Sequence, residues 1–215
     1  MLAAEPGADG VDIVTDDGRT RVDAVVLAAD AWTERLVAPL GVGLPLYVQL
    51  AQVTYFAVAD PTPFRPGAFP VWIWMDNPSY YGFPEYGLAD TIKASEDCGG
   101  PPVDPDQRGF EPEEPVERRL TSFVRELFGD LVGPARQTST CLYTLTADRD
   151  FVLDRVADHP NVVVALGAAH GFKFASWFGR TASALALDPS LAVDDGFALD
   201  RSGLGAPVDP AAWLV

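Results

Sequence analysis

The chain has 215 residues, 48% of them hydrophobic, enough to bury one large or two small cores. Fifteen Lys and Arg stand against 31 Asp and Glu, a net charge of −16. That balance argues against a nucleic-acid partner, whose phosphates are neutralised by Lys and Arg, and against an anionic membrane surface. No apolar run approaches the roughly 20 residues that span a bilayer, and no charged-then-apolar leader precedes the first strand. Two cysteines, Cys98 and Cys141, make no disulfide framework in a chain this long. A soluble cytoplasmic protein is the expectation.

Residues 1 to 10 mix Ala, Gly, Pro and charge without periodicity and are expected to fray. Val11–Thr15, the turn Asp16-Asp-Gly-Arg19 and Arg21–Ala29 read as a strand, a tight turn and a buried strand. A short helix over 31–38 stops near Pro39 and Gly41. From Leu46 the composition becomes aromatic and β-favouring: Tyr47–Val58, Phe69–Met75, Tyr80–Phe83 and Thr91–Lys93 are strand candidates, close enough in sequence for an antiparallel sheet. A loop opens at Cys98 and runs to about Glu114. Pro115–Phe128 has apolar residues at helical spacing, with Pro in its first turn and Gly129 at its end. Thr138–Thr144 and Phe151–Asp154 read as strands assigned to the same sheet, Asn161–Leu166 as a buried strand, and Trp177–Leu187 as a helix. The expected fold is α+β (mixed α/β). An antiparallel or mixed sheet over 46–154 is covered on one face by the 115–128 helix. A second unit, from 10–45 and 155–190, places strand 161–166 beside 22–29 with helix 177–187 on it. Residues 191–215 form an irregular tail.

Four clusters carry the chemistry: Tyr80-Tyr81-Gly-Phe-Pro84, Lys93, Cys141-Leu-Tyr143-Thr144, and Gly167-Ala-Ala-His170-Gly171-Phe172-Lys173-Phe174. Each has a plain structural explanation: aromatic residues on strands are usually core, a buried cysteine can be a small hydrophobe, and a strand lysine can serve solubility. A lysine entering a helix N-terminus is disfavoured by the dipole, so Lys173 is better explained by an anionic ligand.

In order and spacing these clusters resemble the sarcosine oxidase-like enzymes of the FAD-dependent D-amino-acid-oxidase superfamily, over about residues 10 to 187. The resemblance implies an oxidoreductase that converts a secondary amine or amino acid to an imine and reduces O2 to hydrogen peroxide. It implies FAD as cofactor, attached through the sulfur at the Cys141 position. Lys93 then promotes reaction of the reduced cofactor with oxygen, Tyr81 and Tyr143 line the substrate cavity, and Lys173 binds the substrate carboxylate. Gly167, His170, Gly171, Phe172 and Lys173 form a cofactor-contacting loop. The resemblance leads us to expect Tyr81, Lys93, Cys141, Tyr143 and Lys173 to converge on one cavity.

The departures are specific. Asp97 stands where the family has histidine, and Asp30 and Ala169 stand where it has glycine. These 215 residues also contain no G-x-G-x-x-G turn for a dinucleotide pyrophosphate, and the chain resembles the C-terminal half of such an enzyme. Two readings stay open: an oxidase completed by an N-terminal FAD-binding chain or by self-association, and a non-catalytic remnant acting as an interaction module.

Overall fold

A computed structural model describes residues 1–97 and 100–207. Cys98 and the end of the expected tail lie outside the described residues. The described chain divides into two compact units, one holding residues 1–47 and 144–207, the other holding Val48–Tyr143.

In the first unit the opening residues are ordered rather than frayed. β1 (Ala3–Gly7) pairs antiparallel with β2 (Gly10–Thr15), which pairs with β3 (Gly18–Val22). The sequence hid β1 because its pairing is carried by the backbone and needs only one buried side chain, Ala4. Cross-strand charge pairs add to it: Arg19 bridges Glu5, and Arg21 reaches Asp12 at 3.1 Å. The strand expected over 21–29 is broken at Asp23-Ala24. Its second part, β4 (Val25–Leu27), leaves the hairpin and joins another sheet, ordered β10 (Val152–Val156), β11 (His159–Leu166), β4.

β11 runs parallel to β4, with Val162, Val163 and Val164 opposite Val25, Val26 and Leu27. β10 runs antiparallel to β11. The apolar run in β11 fits a strand buried on both faces. On one side Val162, Val164 and Leu166 join Leu27, Leu36 and Val37; on the other Val163 meets Leu153, Ala182 and Leu185. Strand 161–166 therefore lies beside the 22–29 segment, and the helix α3 (Ala175–Leu187) packs on it as expected. The placement of 151–154 in the substrate-type sheet is corrected: β10 pairs with β11. Its apolar run marked a strand but not a partner, because strand partners are set by non-local packing.

Two arginines, invisible to periodicity, organise the chain after α3. The Arg155 guanidinium donates to the carbonyls of Leu185, Asp188 and Leu191, a cation on the helix's C-terminal oxygens. Arg201 donates two hydrogen bonds to Asp148 at 2.6 and 2.9 Å, and Leu204 is buried. The described part of the tail is thus tied to the unit.

The second unit is a five-stranded sheet ordered β6 (Trp72–Trp74), β7 (Ser79–Phe83), β8 (Thr91–Asp97), β5 (Tyr47–Val58), β9 (Val132–Leu145). The pairs β6–β7, β7–β8 and β8–β5 are antiparallel. The helix α2 (Glu114–Phe128) covers one face. Pro115 sits in its first turn, where its missing N–H costs nothing, and Gly129 ends it at φ 58°. Val116, Leu120 and Val124, four residues apart, are its buried stripe. Leu120 and Val124 pack with Phe56, Tyr80, Ile92 and Ala94, and Tyr80 stacks on Phe123 at 4.0 Å between ring centroids. Glu96, 4% exposed, is held by two hydrogen bonds from Arg119 of α2.

Between β11 and α3 the backbone doubles back so tightly that a Cβ at Gly167 would lie 2.8 Å from Gly171 Cα. Gly179 in α3 has open space where a Cβ would go. Gly167→Ala is expected to destabilise the protein by about 1–3 kcal/mol. Gly179→Ala is expected to stabilise it by about 0.4–1 kcal/mol through lower unfolded-chain entropy. Midpoints of urea unfolding at unchanged slope check both signs.

Candidate functional site

Strand alternation builds the site. Along β8, Ile92, Ala94 and Glu96 face α2, so Lys93, Ser95 and Asp97 face the other way. Register carries the rule to the neighbours. Tyr81 of β7 and Val53 of β5 both lie opposite Ser95, and Phe83 and Tyr55 both lie opposite Lys93. From β9, the Tyr143 hydroxyl reaches the Tyr81 hydroxyl at 3.0 Å. The face that α2 leaves uncovered therefore holds Tyr81, Lys93 and Tyr143, all half-buried. The Lys93 ammonium lies 5.0 Å from the centre of the Phe83 ring.

Cys141 belongs to the same neighbourhood. Burial pushes its thiol above the ordinary value, while the positive charges of Arg108 and Lys93 pull the other way. The thiol is a free cysteine, half-buried and held in its neutral form by burial, with two cations that offset part of the cost of ionising it. Burial also raises Tyr143, reinforced by its contact with Tyr81. Burial raises Tyr81 too, against hydrogen bonds from Ser95 and Tyr143 that favour its ionised form. Both phenols stay protonated at neutral pH and offer donors, not charge. Asp97 acts on both as a nearby negative charge.

Sequence motifs had marked Tyr81, Lys93, Cys141 and Tyr143 and included Phe83 without a role, but missed Ser95 and Arg108. Ser95 and Phe83 were reachable by alternation from Lys93 and Tyr81. Arg108 comes from the 98–113 segment, where no periodicity points at the sheet.

The second set of residues lies in the other unit, at the carboxyl ends of the parallel strands β4 and β11. After β11, Gly167 and Gly171 make their close approach, and a 3-10 turn over Gly171–Phe174 leads into α3. His170 Nδ1 lies 2.9 Å from the Ala168 carbonyl, and its ring lies 4.9 Å from Phe151. Burial lowers the His170 pKa, so the imidazole is neutral at neutral pH. Phe172 is 93% exposed, and the Lys173 ammonium lies 5.2 Å from the Phe174 ring centre. Ala168 and Ala169 adopt φ of 42° and 72°, and Asp30, three residues beyond β4, adopts 44°. Side chains rarely tolerate that left-handed region, which glycine enters freely. Asp30 and Ala169, the two places where glycine was expected, are both strained.

Among the described residues no group of His, Cys, Asp and Glu could hold a metal ion, and no helix is long and apolar enough to cross a membrane. A phenol pair, a thiol and an ammonium on one uncovered sheet face fit the ring end of a flavin.

The comparisons with known proteins agree. Residues 2–185 match the family described as FAD dependent oxidoreductase (DAO). Monomeric sarcosine oxidase of Bacillus sp. (strain B-0618) is 32% identical over 185 residues, covering 83% of this chain and 47% of that protein. N-methyl-L-tryptophan oxidase of Yersinia pestis (strain Pestoides F) is 30% identical, covering 94% of this chain and 54% of that protein. Among solved structures, NikD, an unusual amino acid oxidase essential for nikkomycin biosynthesis, superposes with a TM-score of 0.75 at 29% identity. The match covers 90% of this chain and 52% of NikD. The chain thus spans about half the length of the relatives it matches, and over that span it belongs to the FAD-dependent oxidoreductase family.

Proposed function

We propose that this chain supplies the ring-facing wall of an FAD-dependent amine or amino-acid oxidase. Its substrate is a small secondary amine or amino acid, and oxygen is reduced to hydrogen peroxide. The observation that carries the reading is the Tyr81–Tyr143 hydroxyl pair on the same sheet face as Lys93, beside Cys141. FAD, when bound, would supply the acceptor for a hydride equivalent from the carbon next to the amine nitrogen and the route of the electrons to oxygen.

The chain's own residues have separate tasks. Cys141 would hold the ring through a thioether, and the positive charges of Lys93 and Arg108 offset part of the burial that disfavours the thiolate this needs. Lys93 presents a fixed cation where negative charge develops on oxygen, electrostatic stabilisation that is strong in a water-poor site. Tyr81 and Tyr143, both protonated, donate to the substrate and exclude water through their rings. Lys173 binds the substrate carboxylate, and the Gly167–Lys173 loop contacts the cofactor. The unit containing β4 and β11 is the cofactor-binding part, and the five-stranded sheet is the substrate part.

These 215 residues carry no glycine-rich pyrophosphate turn, so the proposed activity depends on a complementary N-terminal FAD-binding half, and the chain alone is weak or inactive. Holding ring and substrate at reacting distance can contribute roughly 7–11 kcal/mol, which one wall of a site does not supply. Peroxide release with N-methyl amino acids is expected only when the N-terminal half of a relative is supplied. Turnover by the lone chain with added FAD would contradict this. In the completed enzyme, Lys93→Met is expected to slow the oxygen half-reaction on the order of 10²-fold. Anaerobic reduction by the amine should change much less. Stopped-flow absorbance separates the two steps, and the opposite pattern would assign Lys93 to substrate binding.

A further inference from the structure

Asp30 is the residue that the proposed cofactor site explains least well. It follows β4 where that strand lies parallel to β11, and ligands of open α/β sheets bind outside the carboxyl ends of such strands. Its backbone is held at φ 44°, its carboxyl accepts from the Ala31 amide, and the Thr144 hydroxyl, buried without a hydrogen-bond partner, acts on it. Asp30 is exposed, so its charge faces the open end of the two strands. A left-handed aspartate costs backbone strain, and a carboxylate there brings negative charge to the crevice in which a dinucleotide would lay its phosphates.

We propose that Asp30 is a charge gate that discriminates against the phosphates of FAD and leaves binding of the uncharged flavin ring and its polyol chain unaffected. The proposal rests on the flavin reading given above. Burial raises the Asp30 carboxyl above the ordinary carboxylate range, so its neutral form persists to higher pH than that of a surface aspartate. The groups acting on it among the described residues are the Thr144 hydroxyl and the Ala31 amide. The loop after β11 contributes His170 and Lys173, and the turn before β10 contributes Arg149 and Asp150. Lys173, Arg149 and Asp150 all act on the His170 ring. The sign follows: FAD affinity is highest where Asp30 is protonated and falls as pH rises through its raised pKa. Riboflavin affinity stays level through the same titration at this residue.

The test is equilibrium binding of riboflavin and of FAD, by quenching of flavin fluorescence, to the chain completed by the N-terminal half of a relative. It is run for the wild type, Asp30→Asn and Asp30→Gly, below and well above the carboxylate range. Asparagine removes the charge and keeps the shape; glycine also relieves the backbone. The expected result is that both variants bind FAD at least tenfold tighter than the wild type at the higher pH. Riboflavin affinity should change less than twofold, and the wild type should approach the variants on acidification. An FAD-to-riboflavin affinity ratio unchanged in both variants would overturn the gate. Weaker FAD binding in Asp30→Asn would also overturn it, by showing that the carboxylate accepts hydrogen bonds from ribose hydroxyls. Riboflavin binding reports the ring site by itself, so a failed gate with intact riboflavin binding leaves the proposed function standing. Absence of binding of either flavin to all three proteins would overturn both.

Discussion

The second unit depends on the period-two alternation of a single strand, β8. Ile92, Ala94 and Glu96 are committed to the helix-covered face, two by apolar packing and the third by the Arg119 fork. A slip of one residue would bury Lys93 and Asp97 beneath α2 and expel two apolar side chains, so the register is strongly specified. Fully burying a side chain such as Ile92 is worth roughly 1.5–3 kcal/mol. Energy spent on one face thereby fixes the positions of Lys93, Ser95 and Asp97 on the other. Tyr81 and Phe83 follow through their pairing with β8, and the contact between Tyr81 and Tyr143 brings in β9. Reactive side chains on strands anchored this way hold their geometry better than side chains on loops.

The first unit works on a different constraint. Two parallel strands, β4 and β11, end together, and both continue into loops with left-handed backbone at non-glycine residues. Strain of this kind persists only where the surroundings over-determine it. Here the surroundings are the Gly167–Gly171 approach on one loop and the hydrogen bond that the Asp30 carboxyl accepts from the Ala31 amide on the other. Glycine is indispensable at 167, where a Cβ has no room. At 30, an aspartate stands in a conformation that glycine would adopt without strain.

What could be read from the sequence followed from how local each signal was. Helix α2 was legible because Val116, Leu120 and Val124 repeat at helical spacing between Pro115 and Gly129, all within fifteen residues. β11 was legible from its unbroken apolar run, and so was its place beside the 22–29 segment. β1 was not, because Ala, Glu, Pro and Gly write no pattern while their backbone still pairs. The partner of β10 was not legible either, since Val152 and Leu153 suit any buried sheet. Of the site residues, Tyr81, Lys93, Cys141 and Tyr143 announced themselves by type and order. Arg108 acts on Cys141 from a stretch without periodicity, and Asp30 was marked only by the glycine it displaced.

The central claim is that the uncovered face bearing Tyr81, Lys93 and Tyr143, with Cys141, is where the flavin ring lies. The direct test is mass mapping of flavin–protein adducts after the chain, completed by an N-terminal half, has taken up FAD. The account predicts a flavin on the proteolytic peptide that carries Cys141, and loss of that adduct in Cys141→Ser. A flavin-containing protein with an unmodified Cys141 peptide and the flavin attached elsewhere would contradict it.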